Sequence, residues 1–522
     1  MEMAELNYWW VTRPKRKLNS IPEVLAAFSN VALSVRWSAA RNVHILFEEE
    51  LERDGLKRIG ERRDQSGSGG RTYQAWLSSL GLIFIQESTG IPFLTLAGEA
   101  ILEGKSPVEV LKYQVLKYQF PSPFGIKTHV SGRFKVHPFI FLLRLLNDSR
   151  VVYLTEEEIA KVVMTEGVND SEKCFDYVVT KLLAFRENGD RSLPSDFIDT
   201  HAPSTGRVNL AHPYSHLTDT ANTMINWLEY TQLILRDEGK IVISYEKRDE
   251  IRSILSQKIS FIDRPDNHEF FQRKYGLDPW HQKDTRNLLN TGTISSKLID
   301  MQRIRQAFIA FSMHRPIAQI GPDIILEIAD RTGTDKVLVE SVLYKEYPHG
   351  AIGGFLSGYY EMAFKGRDEA TDFEVATTSI FKEVLGYNAI HLGQTGSKSA
   401  PDVLLISDAD GYQAIIDNKA YSDYSISGDH HNRMVYNYIG NVSNYSNSSY
   451  PIGFFTYIAG GFIKTIDKQI QAEADESKVH GSAITVGTFI KLLERHNQCS
   501  YSHKELRDLF SINRQVLLTD IR

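Results

Sequence analysis

Residues 401–422 read PDVLLISDADGYQAIIDNKAYS. Two short apolar runs, VLLI at 403–406 and AII at 414–416, flank a polar turn at 408–411. An apolar run, an Asp/Gly turn and a second apolar run predict a β-hairpin. Such a hairpin brings Asp402 and Asp417 together at its open end. Lys419 lies two residues past Asp417, so strand alternation puts both side chains on one face. Two carboxylates and one ammonium on a rigid edge make a divalent-cation site with a positive charge beside it, an arrangement suited to phosphodiester hydrolysis. Pro-Asp also occurs at Pro265 and Asp266 and at Pro322 and Asp323. Only the pair at Pro401 and Asp402 is followed at a suitable distance by an acid-x-Lys triplet that closes an apolar strand. The bland alternative is an edge hairpin with solvated charges.

The segment upstream, residues 372–393, reads DFEVATTSIFKEVLGYNAIHLG. Phe373, Thr377, Ile380, Phe381 and Val384 recur at helical spacing, and Gly386 ends the helix. Glu374 lies near the start of that helix and is a candidate third acid. The run from Glu374 through LGYNAIHLG, PDVLL and IIDNKAYS resembles the cleavage domain of FokI-type restriction endonucleases. The resemblance rests on the spacing from Glu374 to Gly386 and Tyr387, on the triplet His391, Leu392 and Gly393, and on the ending Lys419, Ala420, Tyr421 and Ser422. It continues through GFFTYIAGGFIKTIDKQIQ at 453–471 and AITVGTFIKLL at 483–493, and so covers roughly the last third of the chain. The N-terminal part resembles the AlwI-like group of type IIS enzymes more loosely.

Hydrolysing a phosphodiester adds negative charge to a phosphate that is already anionic. A small hard cation offsets that charge, takes a few carboxylate oxygens and keeps several waters. Mg²⁺ is the expected ion, with Mn²⁺ able to substitute. Asp402 and Asp417 are the expected ligands, with the backbone carbonyl of Asn418 as a further one and Glu374 acting through a water or at a second ion. Lys419 is left with three open roles: orienting the attacking water, deprotonating it, or stabilising the pentacovalent state. A Zn²⁺ site is disfavoured, because neither cysteine and no imidazole is suitably spaced. The GDHHN stretch Gly428–Asn432 raises a His-metal alternative, but no second half of such a motif appears. Tyr421 follows the site strand directly and is a candidate DNA contact. Tyr424, Tyr436 and Tyr438 read as packing residues.

At 522 residues the chain is too long for one ordinary core. No apolar run reaches membrane-spanning length, and the N-terminal MEMAELNYWWVTRPKRK lacks the apolar stretch of a signal peptide. The two cysteines, Cys174 and Cys499, fit a reducing compartment. A cytoplasmic home in a prokaryote is the expectation. Net charge is −6, so any nucleic-acid surface must be local. Candidate basic clusters are Arg13, Lys15, Arg16 and Lys17, then Lys57, Arg58, Arg62, Arg63 and Arg71; a solvated surface is the plainer reading of both.

Residues 63–71, RDQSGSGGR, read as a flexible connector. The pattern that follows is helix RTYQAWLSSLGL, strand IFIQES, turn at Thr89 and Gly90, strand IPFLTL and helix AGEAILEG. Helix, strand, tight turn and strand suggest a winged helix, whose last trihelical element enters the DNA major groove in one use of the motif and binds protein in another. Arg71, Tyr73, Gln74 and Ser78 are the polar positions on that helix and the candidate base readers, with arginine suited to guanine and glutamine to adenine. A second copy of the theme comprises a helix at 156–163 capped by Thr155 and Glu158, a helix at 174–187, a loop at 191–220, a helix ending near Leu235, a turn at 237–239, a strand at 240–245 and a helix at 246–255.

The expected fold is thus multidomain, of mixed α+β and α/β class. It has winged-helix-like DNA-recognition subdomains at 1–148 and 149–258, a helical linker at 259–345 and a PD-(D/E)xK nuclease α/β core at 346–522. The resemblance implies a type IIS enzyme that binds a short asymmetric site on double-stranded DNA and cuts at a fixed offset. It also implies that one site cuts one strand, so a second cleavage domain joins by transient homodimerisation or as a small partner subunit. Open alternatives are a nicking subunit of a heterodimeric enzyme, a modification-dependent, repair or transposon nuclease, and a winged-helix regulator with an inactive nuclease domain.

Overall fold

The computed structural model describes residues 5–33, 35–58, 66–123, 129–203, 211–237, 239–288, 296–393 and 400–522. Their contacts gather into two units, Met1–Ala310 with Leu326–Val342, and Phe311–Ile325 with Leu343–Arg522.

In the first unit, helices Ile21–Ala32, Arg41–Arg53 and Ser68–Ser79 precede a hairpin of β1 (Ile83–Ile85) and β2 (Pro92–Leu94) and a helix Leu96–Leu102. The order matches the pattern read from residues 71–104. Thr95 joins hairpin to helix: its hydroxyl accepts from the Gly98 N–H and donates to the Gly81 carbonyl, a typical N-cap. The third helix starts at Ser68, so the glycines of RDQSGSGGR are not simply a connector. A Cβ on Gly70 would lie 2.4 Å from the His44 carbonyl oxygen, and one on Gly69 would lie 2.2 Å from Glu48 Oε1. The missing side chains let two helices touch backbone to backbone.

Farther along, β3 (Leu154–Thr155), β4 (Ile234–Asp237) and β5 (Lys240–Ile243) form an antiparallel sheet in the order β3-β5-β4. The Thr155–Glu158 capping box is present. The helix expected to reach Leu235 stops at Tyr230. Gln232 turns the chain with a left-handed φ of 62°, and Ile234 then pairs with Ile243. The ladder partner, several residues downstream, overrides the local helical spacing. The helix His268–Tyr275 is bound into this unit rather than free as a spacer. Tyr275 donates to the Ser79 or Gln114 carbonyl, Gln272 donates to the Ser78 carbonyl, and Lys117 donates to the Tyr275 and Leu277 carbonyls.

The second unit is built on a six-stranded sheet. Its strands are β6 (Asn388–His391), β7 (Val403–Ser407), β8 (Tyr412–Lys419), β9 (Ile452–Ala459), β10 (Gly481–Thr485) and β11 (Arg514–Val516), in the order β11-β10-β9-β8-β7-β6. β6 pairs with β7 and β7 with β8 in antiparallel fashion, and β8 to β11 run parallel. Parallel strands are covered on both faces, which is why β8 to β10 are buried along most of their length rather than at alternate positions. One face buries Val403, Leu405, Ala414, Ile416, Phe454 and Ile484 against residues of the helices Gly353–Met362, Ala370–Glu383 and Val486–Gln498. The other buries Ile415, Phe455 and Tyr457 against Met434, Tyr438, Ile466 and Ile470. Among the described residues, no helix is long and apolar enough to cross a membrane.

Candidate active site

The expected hairpin forms. β7 and β8 pair through Val403 and Ile416, and the turn at 408–411 carries Gly411 at a φ of 62°. Asp402 precedes β7, and Asp417 to Lys419 end β8. At that open end Lys419 Nζ lies 2.6 Å from Asp417 Oδ2. The Asn418 N–H donates to Asp402 Oδ2 at 2.7 Å, so the first acid is tied to the backbone between the other two groups.

The helix Ala370–Glu383 is fixed onto this edge by a polar contact inside the core. Asn418 Nδ2 donates to Thr377 Oγ1 at 2.6 Å, and Thr377 also meets the Tyr359 hydroxyl at 2.9 Å. Glu374 lies one turn earlier on the same helix. Its carboxylate accepts from His391 Nε2 at 3.0 Å. It remains near enough for its charge to act on both Asp402 and Lys419.

Burial pushes the Asp402 carboxyl well above its ordinary range; Asp417 and Glu374 push the same way, and Lys419 pulls it back. Burial works against the Lys419 ammonium, but Asp417, Asp402 and Glu374 outweigh it and hold its pKa above the usual lysine value. The four groups therefore act on one another as a single electrostatic cluster. Among the described residues, no three His, Cys, Asp or Glu side chains form a cage around a metal ion. The donor set is smaller and suits a hydrated hard cation, which takes one or two carboxylates and keeps its waters. Asp417 Oδ1 is enclosed and accepts no hydrogen bond. A cation ligated there would satisfy an oxygen that is otherwise costly to bury.

Behind Asp417 lies a fourth acid, Glu473, which has no part in the PD-(D/E)xK pattern. Tyr457 on β9 is the register partner of Asp417 and donates to Glu473 Oε1 at 3.0 Å. Glu473 has no exposed surface, and its Oε2 has no partner. Burial pushes its carboxyl up to about 9 against the Tyr457 hydrogen bond, and the charge on Asp417 pushes the same way as burial. The folded state therefore keeps a proton that the unfolded chain releases above 4.5, and folding loses stability as pH rises from there towards 9. Glu473→Gln removes that loss. Its stability gain over the wild type should be near zero at pH 4.5 and should grow towards pH 9, by at most about 1.4 kcal/mol per pH unit. Thermal unfolding across that range measures it, and a pH-independent difference would contradict it.

The His-metal alternative finds no support in the side chains. His430 Nδ1 is spent on the Tyr424 hydroxyl at 2.8 Å, and His431 Nε2 on Glu476 at 2.8 Å. Tyr421 is half exposed and its ring lies nearly parallel to that of Tyr424.

The residues proposed to read DNA are not all on a surface. Tyr73 and Ser78 are buried; Tyr73 donates to the Leu56 carbonyl, and Ser78 accepts from Gln74. The helix Ser68–Ser79 packs on the helices Ile21–Ala32 and Arg41–Arg53 and on β1, and Gln272 and Tyr275 reach the carbonyls at its end. Arg71 and Gln74 remain partly exposed, with the Arg71 guanidinium held by Ser66 and 3.4 Å from His44 Nδ1. Arg13 and Lys15 are partly buried, Arg16 is exposed and pairs with Asp219 at 2.6 Å, and Lys17 is exposed. Lys57 is paired with Glu48 and Glu52, and Arg58 is exposed. Arg62 and Arg63 lie outside the described residues.

Comparison with known proteins adds the following. Two structures of the restriction endonuclease FokI align with the chain, one of FokI itself and one of FokI bound to DNA. Identities are 14% and 13%, coverage is 98% and 99% of this chain and 100% of each of those, and the TM-score is 0.28 in both cases. The BpuJ1 endonuclease binding domain, in complex with pyrene- and phenanthrene-modified DNA, aligns at 15% identity over 52% of this chain and 97% of that one, with a TM-score of 0.37. No curated protein matches the chain. The family model of the FokI cleavage domain matches residues 333–517. The segment that carries Glu374, Asp402, Asp417 and Lys419 thus belongs to the FokI cleavage-domain family.

Proposed function

We propose that the chain is a sequence-specific DNA endonuclease of type IIS character, cutting double-stranded DNA at a fixed offset from a short asymmetric site. The observation that carries this reading is the hairpin end: two acids, one with a buried oxygen lacking any donor, beside a lysine paired to one of them. The family of the segment that holds them supports it. Residues 346–522 are the cutting part, and the recognition part lies among residues 1–258 with the helix His268–Tyr275 packed onto it, the rest of residues 259–345 setting the distance between the two. Arg71, Gln74 and the basic residues Arg13, Lys15, Arg16 and Lys17 remain the candidates for touching DNA there, and Tyr421 beside the cutting site. A cytoplasmic home in a prokaryote follows from this reading.

Asp402 and Asp417 would hold Mg²⁺, or Mn²⁺ in its place, with the Asn418 backbone carbonyl as a further ligand and Glu374 acting through a water or at a second ion. When bound, the cation polarises the scissile phosphoryl group and lowers the pKa of the attacking water. Lys419 supplies a fixed positive charge at the same edge, where it offsets charge that builds on the phosphate. Thr377 and Asn418 keep the helix acid and the hairpin acids in register.

One such site cuts one strand, so double-strand cleavage requires a second cleavage domain, from another copy or a small partner subunit. With a supercoiled plasmid carrying one recognition site, nicked circles should dominate at low enzyme concentration, and linear DNA should rise more steeply than in proportion to enzyme. Linear product that appears without nicked circles and at a rate proportional to enzyme would contradict the requirement.

A further inference from the structure

β6 ends in a tripeptide that touches both halves of the candidate site. His391 pairs with Val403, the residue after Asp402, in the antiparallel ladder. Its Nε2 meets Glu374 Oε2 at 3.0 Å, with both side chains about six-sevenths buried, at 14% and 15% exposure. The next residue, Leu392, donates its N–H to the Asp402 carbonyl at 2.8 Å. At the third, Gly393, an added Cβ would lie 1.9 Å from Glu374 Oε2 and 3.0 Å from His391 Nε2. Its φ is not left-handed, so the demand there is for space alone. One oxygen of the Glu374 carboxylate, Oε2, is thus both held by an imidazole and seated against a bare backbone. The residue between His391 and Gly393, Leu392, is hydrogen-bonded to the acid that starts the hairpin.

We propose that His391 and Gly393 are positioning residues that fix the Glu374 carboxylate beside Asp402 and Lys419, and so set the affinity of the site for its divalent cation. This rests on the metal-dependent nuclease reading above. The imidazole restrains one carboxylate oxygen and leaves the other free to face the cation or its waters. Groups that orient a metal site from outside in this way commonly change metal affinity by about 10- to 100-fold when removed. Gly393 adds a steric consequence: alanine there must displace the Glu374 carboxylate, although it removes no polar group.

The test uses the full chain, first with Mn²⁺ alone and then with plasmid DNA added. Free Mn²⁺ is followed by electron paramagnetic resonance, and plasmid cleavage is followed as a function of Mn²⁺ concentration. His391→Ala and Gly393→Ala should each weaken Mn²⁺ binding by about tenfold or more and shift the half-maximal Mn²⁺ for cleavage by a similar factor. His391→Gln, which keeps a donor for the carboxylate, should stay within about threefold of the wild type. A purely structural histidine would change the melting temperature and leave Mn²⁺ affinity alone. Should His391→Ala fail to fold, Gly393→Ala decides, since it keeps the imidazole. Wild-type Mn²⁺ affinity in Gly393→Ala overturns the proposal. A wild-type chain that neither binds Mn²⁺ nor cuts DNA overturns the nuclease reading itself. A wild type that does both, with variants that match it, overturns only the positioning role.

Discussion

Asp417→Ala is expected to lower Mg²⁺-dependent DNA cleavage by about a thousandfold or more while site-specific DNA binding survives. The carboxylate supplies one of the two side-chain ligands of the proposed cation, and its Oδ1 has no other use in the fold. The substitution also strips Lys419 of its 2.6 Å partner. Lys419 is mostly but not wholly buried, and breaking a buried pair from one side commonly costs about 3–5 kcal/mol, because a charge is left without compensation. Asp402 and Glu374 also attract Lys419, so the cost should fall towards the lower end of that range. Asp417→Asn keeps the shape and a carbonyl for the lysine, and separates the catalytic loss from the folding loss. The check is a cleavage time course paired with a gel-shift titration and a melting curve for each variant. A variant that folds and still cuts at a tenth of the wild-type rate would contradict the assignment.

Asp402→Asn is expected to do two opposite things. It should abolish cleavage, and it should raise the melting temperature of the metal-free protein. Asp402 is mostly buried beside Asp417 and feels Glu374 as well, with Lys419 pulling the other way. Its carboxyl lies well above its ordinary range, first through burial. An acid raised in the folded state weakens folding as pH climbs above its unfolded value near 4. At neutral pH the asparagine, still able to accept from the Asn418 N–H, should therefore add about 1–2 kcal/mol, the usual gain when a strained functional group is neutralised. The wild type should regain stability when Mg²⁺ is added, since a ligand of the native state alone stabilises it by mass action. The variant should not respond. Melting curves with and without Mg²⁺ test both halves at once. A variant that melts below the wild type in the absence of metal, or one stabilised by Mg²⁺ to the same degree, would contradict this.

Much of the site is visible in the chain because it is local. The turn at 408–411 and the flanking apolar runs specify the hairpin within about twenty residues, and the hairpin alone brings Asp402 to Asp417 and Lys419. The helix Ala370–Glu383 announces itself by its apolar spacing. The remaining features depend on pairings that no window contains. Thr377 meets Asn418 across 41 positions. Glu473 reaches the site only because β9 lies beside β8 in a register that sets Tyr457 against Asp417. A signal for it does exist, an acid on the otherwise buried face of the helix Ile466–Ser477 with Ile466, Ile470 and Ala474, though it carries no meaning until that face has a neighbour. The same limit governs Ser78. Its helix is legible, but the end of that helix is covered by Gln272 and Tyr275, almost two hundred residues away, while Tyr73 is turned inward onto the Leu56 carbonyl. At β4 the helical spacing of residues 221–235 is misleading in its last turn, because a strand partner at 240–243 competes successfully for the same backbone.

The most direct measurement is anomalous scattering from a crystal of the wild-type chain soaked in Mn²⁺. A single strong peak within ligand distance of one oxygen each of Asp402 and Asp417, with the Lys419 ammonium beside it, is the expected result. Crystals of enzyme active with Mn²⁺ that hold the ion elsewhere, and none between those two carboxylates, would contradict it.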